Sequence, residues 1–337
     1  MEQDRPDMAH GWGRGGIVWD NHACMPLRPD DTRFLPELDR YRRAGVTMVS
    51  LNVGFGTQTL DEHVRMLAAF RHWITRHADR FRLVSTIADI HHARQAGQLG
   101  ICFDIEGMTP LDRGDHGLVA LFHDLGVRWM LVAYNQANLA GAGCYDPMDG
   151  GLTAHGRALL AEMRRVGMVV CCSHTGERTA LDVMDQARNP VILSHSNARA
   201  LYDHPRNVSD GLIRACAATG GVIGVNGLGP LLGTGSDLVT MMVHHIDHIA
   251  QLVGPAHVGL GLDHVFDRQE LDEYLAAMQA GTAGFKAPPP GFPMLGPEGV
   301  PVLASALADR GYPDDAIAGI LGGNFLRVAE AVWGGAT

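Results

Sequence analysis

No stretch of 18 or more consecutive apolar residues occurs in this chain, so nothing in it reads as a membrane-spanning helix. The first sixteen residues lack the apolar run of a secretion signal. They are polar, with Gly and Arg, and point to a cytoplasmic protein. Positive charge is short as well. The 27 Lys and Arg against 37 Asp and Glu leave a net charge of −10, which argues against nucleic-acid binding, since that needs a basic surface. The cysteines at 24, 102, 144, 171, 172 and 216 lack the spacing of a disulfide framework. Several fall in strand-like runs, where buried free thiols are expected, so no disulfides are expected. Internal repeats and low-complexity tracts are missing, which excludes solenoids and fibrous arrays.

What is present is a regular alternation of strand-like and helix-like segments. Short apolar, β-branched runs lie at 16–20, 46–52, 81–86, 100–105, 129–134, 168–172, 191–194, 221–225 and 258–262. Amphipathic stretches such as 61–77, 156–166 and 238–252 fall between them. This pattern predicts a parallel sheet with crossover helices. Of the nine candidate strands, eight would close a (β/α)8 TIM barrel and the weakest would be an extra or edge element. The 337 residues fit one such barrel. Residues 1–15 read as a flexible N-terminal segment and 16–337 as one catalytic domain. The Gly/Pro-rich 281–299 reads as a loop near the barrel mouth, and 313–333 as helix packed outside.

In a parallel α/β fold, residues at the carboxyl ends of strands face the ligand crevice. Two candidate strands end in Ser-His, at His174 and His195, and two imidazoles on neighbouring strand ends suit a metal, zinc most commonly. The first strand leads into Asp20-Asn21-His22-Ala23-Cys24, where His22 and Cys24 are two apart and point the same way on an extended chain. Glu106 follows an apolar run and precedes Gly107. A buried carboxylate there needs a cation or metal partner. Asp263 ends Val258-Gly259-Leu260-Gly261-Leu262. Imidazoles for each ion, a bridging carboxylate and an acid/base carboxylate are the inventory of a two-metal hydrolytic site. By contrast, His244, His245 and His248 lie in an amphipathic stretch on the barrel's outside and read as structural or solvated.

These residues resemble the membrane (renal) dipeptidase family of zinc peptidases, family M19, over about residues 16–330. The resemblance rests on Asp20-x-His22-x-Cys24-x-Pro26, Ile105-Glu106-Gly107, the 161–167 segment, Ser173-His174, the 190–196 segment, His204-Pro205-Arg206-Asn207-Val208-Ser209-Asp210 and the 258–263 segment, in the family's order. It implies a metal-dependent (β/α)8 hydrolase holding two Zn2+. Such an enzyme cleaves the amide of a small dipeptide-like substrate with a free carboxylate, using a metal-activated hydroxide. By position, His22 and Cys24 would hold one ion, Glu106 would bridge, and His174 and His195 would hold the second. Asp263 would handle the proton, and Arg206 would pair with the substrate carboxylate. Family members are often homodimers, so the resemblance makes a homodimer an expectation too.

Two positions depart from the family. Its first strand carries His-x-Asp, whereas position 24 here is Cys; thiolate binds zinc well but makes a bound water less acidic. Near Asn135 the family usually has a histidine that helps bind the tetrahedral intermediate. Asparagine can donate a hydrogen bond there but cannot carry a proton. An alternative reading therefore stays open: a one-metal or metal-poor member acting on a non-peptide amide or lactam, or a small-molecule binder.

Overall fold

The computed structural model describes residues 16–235, 237–282 and 285–334. The expectation of a flexible segment at 1–15 falls outside the described residues. Ten parallel-paired strands run in chain order: β1 (Trp19–Cys24), β2 (Met48–Phe55), β3 (Phe81–Leu83), β4 (Leu99–Glu106), β5 (Val127–Leu131), β6 (Val169–Cys171), β7 (Val191–Ile192), β8 (Ile223–Val225), β9 (Val258–Leu260) and β10 (His264–Val265). The hydrogen-bonded order is β7-β6-β5-β4-β2-β1-β9-β8. A parallel bridge between Leu193 and Ile223, with Gly224 N donating to Leu193 O at 2.7 Å, joins the two ends of that order. The result is an eight-stranded parallel barrel with helices on the crossovers, the (β/α)8 fold the alternation predicts.

Of the nine candidate strands, the 81–86 run is the one left out of the ring. β3 pairs with β4 only at Leu99–Ile101, and β5 takes over that edge from Phe103 onward. The first strand departs from its predicted span of 16–20. It continues to Cys24, because β2 and β10 both offer it partners and its polar side chains are satisfied inside. Asp20, for example, accepts from Tyr41 Oη at 2.7 Å and from Leu262 N at 2.7 Å. His22 and Cys24 are thus held in the strand itself.

Helix boundaries follow local chemistry. The Leu60–Arg76 helix opens at Thr59, whose hydroxyl accepts from Glu62 N while the Glu62 carboxylate accepts from Thr59 N. The Ala154–Val166 helix stops at Gly167, where φ of 80° is open to glycine at no steric cost. In the Leu238–Val253 helix, His245 is buried between Ala198 N (3.1 Å) and Leu232 O (3.1 Å), and His248 pairs with Asp210 at 2.7 Å. Both are structural, in line with the sequence reading. All six cysteines are free.

One apolar layer lies between strands and helices. A second fills the lower half of the barrel with Trp19, Met48, Cys102, Trp129, Cys171 and Ile192. The Asn324–Val332 helix lies across that lower end, with Phe325 6.2 Å and Trp333 5.7 Å from the Trp19 ring. Filling the lower half with large apolar side chains, each contributing about 1.5–3 kcal/mol on burial, leaves the carboxyl-end mouth for polar groups. No helix among the described residues is long and apolar enough to cross a membrane.

Candidate active site

At that mouth the strands bring together all of the residues the sequence singles out as metal ligands. His22 and Cys24 close β1, and Glu106 closes β4. His174 and His195 each follow their strand by three residues, and Asp263 interrupts β9 and β10. Glu106 is the hinge of the arrangement. Its Oε2 lies 3.6 Å from His22 Nε2, while its Oε1 lies 3.4 Å from His174 Nε2 and 3.2 Å from His195 Nε2. On the first side, Cys24 Sγ is 3.5 Å from His22 Nε2 and 3.9 Å from Asp263 Oδ1, and His22 Nε2 is 3.6 Å from that same oxygen. On the second side, His174 Nε2 and His195 Nε2 stand 2.8 Å apart.

Each imidazole is aimed by a bond to its other nitrogen. His22 Nδ1 lies 3.3 Å from the Asp104 carboxylate, which also accepts from Asn52 Nδ2 at 3.0 Å. Asn135 Oδ1 accepts from His174 Nδ1 at 2.7 Å, and Ser194 Oγ lies 2.8 Å from His195 Nδ1. An amide oxygen can only accept, so Asn135 leaves the His174 Nε2 lone pair facing Glu106 and His195. Partners of this kind fix tautomer and ring orientation for a metal. The backbone is strained at the same place. Asn135, His174 and Asp263, with φ of 61°, 59° and 58°, are the non-glycine residues with positive φ among the described residues. Such strain gathers where a site dictates side-chain direction.

Burial sets the electrostatics. It pushes the Glu106 carboxyl up to about 8, against the pull of His22, and raises Asp263 too. The Cys24 thiol rises to about 12, again by burial. Burial, reinforced by Arg206 and His22, holds His174 and His195 well below the usual histidine range. His22 goes the other way: burial lowers it, but Glu106, Cys24 and Asp104 together raise it well above that range. A dication reverses the penalty on the carboxylates and thiol, uses the neutral imidazoles of His174 and His195 as they stand, and displaces the proton of His22.

The donor set fits zinc. Tetrahedral zinc with bonds of about 2.0–2.3 Å has ligand–ligand edges of roughly 3.3–3.8 Å. The separations among His22, Cys24 and Asp263 fall at or within 0.1 Å of that interval, while the 2.8 Å between His174 Nε2 and His195 Nε2 is shorter and must widen to seat an ion. Each of two trios, His22 with Cys24 and Asp263, and His22 with Glu106 and His195, offers donors within 4.8 Å of one another. Glu106 Oε1 is buried with no hydrogen-bond partner, the mark of an atom whose partner is a cation.

A cavity opens above these donors. Arg206 lines it and is only 6% exposed; its Nη2 donates to His195 O at 3.3 Å while its Nη1 is buried without a partner. Asn135 also lines it, with Nδ2 at 3.6 Å from Met278 Sδ. Asp263 Oδ2 is tethered by Asn226 Nδ2 at 2.8 Å. The sequence reading missed Asp104, Asn226 and Tyr274. Asp104 was discoverable, since two residues along a strand it shares a face with Glu106. Tyr274 carries no such signal: it reaches the cavity from a helix, and its hydroxyl bonds Tyr134 at 3.2 Å.

Comparison with known proteins bears on the family and the fold. The family model for membrane dipeptidase (peptidase family M19) matches residues 35–272. Dipeptidase verJ of Clonostachys rogersoniana is 27% identical over 320 residues, covering 94% of this chain and 73% of that protein. An uncharacterized protein in the pqqA 5' region of Klebsiella pneumoniae is 33% identical over 280 residues, 80% of this chain and 95% of its own. Among solved structures, an amidohydrolase from Pseudomonas aeruginosa superposes with a TM-score of 0.86 at 28% identity, over 98% of this chain and 100% of the other. A metallo peptidase from Rhodobacter sphaeroides, liganded with a phosphinate mimic of L-Ala-D-Ala, shares the fold with a TM-score of 0.73 at 20% identity, over 94% and 100%.

Proposed function

Because the chain belongs to the membrane dipeptidase family, peptidase family M19, we propose that it is a two-zinc hydrolase cleaving the amide of a small dipeptide-like substrate with a free carboxylate. The observation that carries this reading is Glu106. One of its oxygens faces the His22, Cys24 and Asp263 group, and the other faces the His174 and His195 pair.

In this reading His22, Cys24 and Glu106 would hold one ion, and Glu106, His174 and His195 would hold the other. Bound zinc supplies Lewis-acid polarisation of the scissile carbonyl and lowers the pKa of water. The remaining work falls to the chain's own residues. Asp263, tethered through Oδ2 by Asn226, turns Oδ1 toward His22 and Cys24, where it takes a proton from the attacking water and delivers it to the leaving amine. Arg206, which lines the cavity, offers its guanidinium to the substrate carboxylate, the anion its fork suits best. Asn135 orients His174 through Oδ1 and leaves Nδ2 on the cavity side as a hydrogen-bond donor to the substrate. Cys24 stands where the family has a carboxylate, and it provides a soft ligand instead of a hard one.

The test is a matched pair of substrates. Zinc-loaded protein should hydrolyse a free dipeptide and leave its C-terminal amide counterpart about 10- to 100-fold slower, a factor in line with a lost charge-assisted contact. Arg206→Met should raise KM for the free dipeptide and erase the difference. Equal turnover of the two by the unmodified enzyme removes Arg206 from its role, and no cleavage of any dipeptide ends the peptidase reading.

A further inference from the structure

The helix Arg268–Gly281 stands over the cavity in an unusual way. It has 14 residues, none of them buried. Yet Leu271, Tyr274, Leu275 and Met278, at i, i+3, i+4 and i+7, form one apolar stripe that lines the cavity and is half-covered. The opposite face, with Glu273, Ala276, Ala277 and Gln279, is exposed. Helices normally press such a stripe onto a core; this one faces the space above the metal ligands. It is also held in place. Asp267 caps its first turn, and Arg28 ties Asp267 (2.7 Å) and Glu270 (2.6 Å) to the segment after β1. Tyr274 packs edge-on to Phe55 at 4.9 Å, and Phe285 packs edge-on to Tyr145 at 5.3 Å, so the apolar wall continues past the helix.

Beneath this roof Arg206 and Lys286 are the Lys and Arg side chains among the described residues that line the cavity; Lys286 is exposed, and Arg206 is the buried one, beside His195. A substrate anchored there by its carboxylate and cleaved at Glu106 must pass its side chains under the stripe. We infer that the preferred substrates carry a bulky apolar side chain, aliphatic or aromatic, which packs against Tyr274, Leu275, Met278 and Phe285, and that these residues set specificity. The inference rests on the hydrolase reading above for the position of the carboxylate. It goes beyond that reading in the class of side chain it names. Burial of a leucine- or phenylalanine-sized group against such a wall is worth on the order of ten- to a hundredfold in kcat/KM over alanine or serine.

The zinc-loaded full chain, its Leu275→Asp variant and its Tyr274→Ala variant would be assayed on dipeptides containing leucine or phenylalanine and on matched ones containing glycine, serine or aspartate. Unmodified enzyme should favour the apolar set at least tenfold. Leu275→Asp should lower kcat/KM for that set by about the same factor, mostly through KM, while changing the glycine and serine substrates little. Circular dichroism and metal content should stay unaltered, since Leu275 is not a buried residue. Calorimetry with phosphinate dipeptide mimics separates two kinds of failure. If no dipeptide is cleaved but a leucine-type mimic binds tenfold tighter than an alanine-type one, the side-chain inference stands and the hydrolase reading falls. Equal binding of the two mimics, or preferential cleavage of the polar set, overturns the inference.

Discussion

His22, His174 and His195 each reach the site with Nδ1 engaged, by Asp104, Asn135 and Ser194 respectively. Metal affinity should therefore depend on residues that touch no ion. Asp104→Asn should weaken metal binding about 10- to 100-fold, the usual cost of an orienting partner, as read by chelator competition; an unchanged dissociation constant removes Asp104 from this role. Away from the site, His245 is held down to about 4, chiefly by burial. In the unfolded chain it returns to about 6.5. Between those values the unfolded chain binds a proton that the folded chain does not, so stability falls as pH drops through this window. At about 1.4 kcal/mol per pH unit the loss reaches at most about 3.5 kcal/mol. His245→Gln can keep one acceptor and one donor for Ala198 N and Leu232 O without titrating. Denaturant melts of this variant from pH 7 to 4 should show a shallower decline than the unmodified protein. The donors themselves were legible in the sequence because each ends an apolar run. Their supports were not: Asn226 and Ser194 are ordinary polar residues until tertiary contact gives them a partner.

The strands carry the donors, and close approach of their ends depends on two glycines. A Cβ on Gly261 would lie 1.9 Å from Ser194 O, and one on Gly224 would lie 2.1 Å from the same oxygen. Both press against the residue immediately before His195. Gly261→Ala should destabilise the protein by at least about 1–3 kcal/mol, as overpacking does, and weaken metal binding as well. A thermal melt beside a zinc titration checks this, and a loss of stability with untouched zinc affinity would separate the two effects. Strand positions were readable from β-branched apolar runs, and the extra ninth run is β3, paired only to β4. The extents were harder. β1 runs to Cys24 although its last residues are polar, because Asp20 and His22 find buried partners that periodicity cannot see. Of the segment 258–262 only Val258–Leu260 is strand, and β10 begins beyond Asp263, whose positive φ turns the carboxylate into the mouth. The stripe at 271–278 has the period of any amphipathic helix, and nothing in it says that its partner is a cavity.

At the scale of the whole molecule, the barrel divides its interior by chemistry. The end crossed by Asn324–Val332 is apolar, and the end above β4 gathers carboxylates, imidazoles and a thiol around Glu106. Fold and family followed from the order of motifs along the chain. The resemblance already implied a bridging Glu106; what the sequence could not show is how its two oxygens lie toward different donors once β1, β4, β6, β7 and β9 close into a ring. That sharing is the centre of the account, and metal stoichiometry tests it most directly. Elemental analysis of protein purified without chelator and dialysed against zinc should find two ions per chain. Glu106→Gln should lower the count below two while the circular dichroism spectrum is preserved. Protein that retains no zinc after such loading, or a Glu106→Gln variant that still holds both ions with unchanged affinity, would contradict the assignment of Glu106 as the shared ligand.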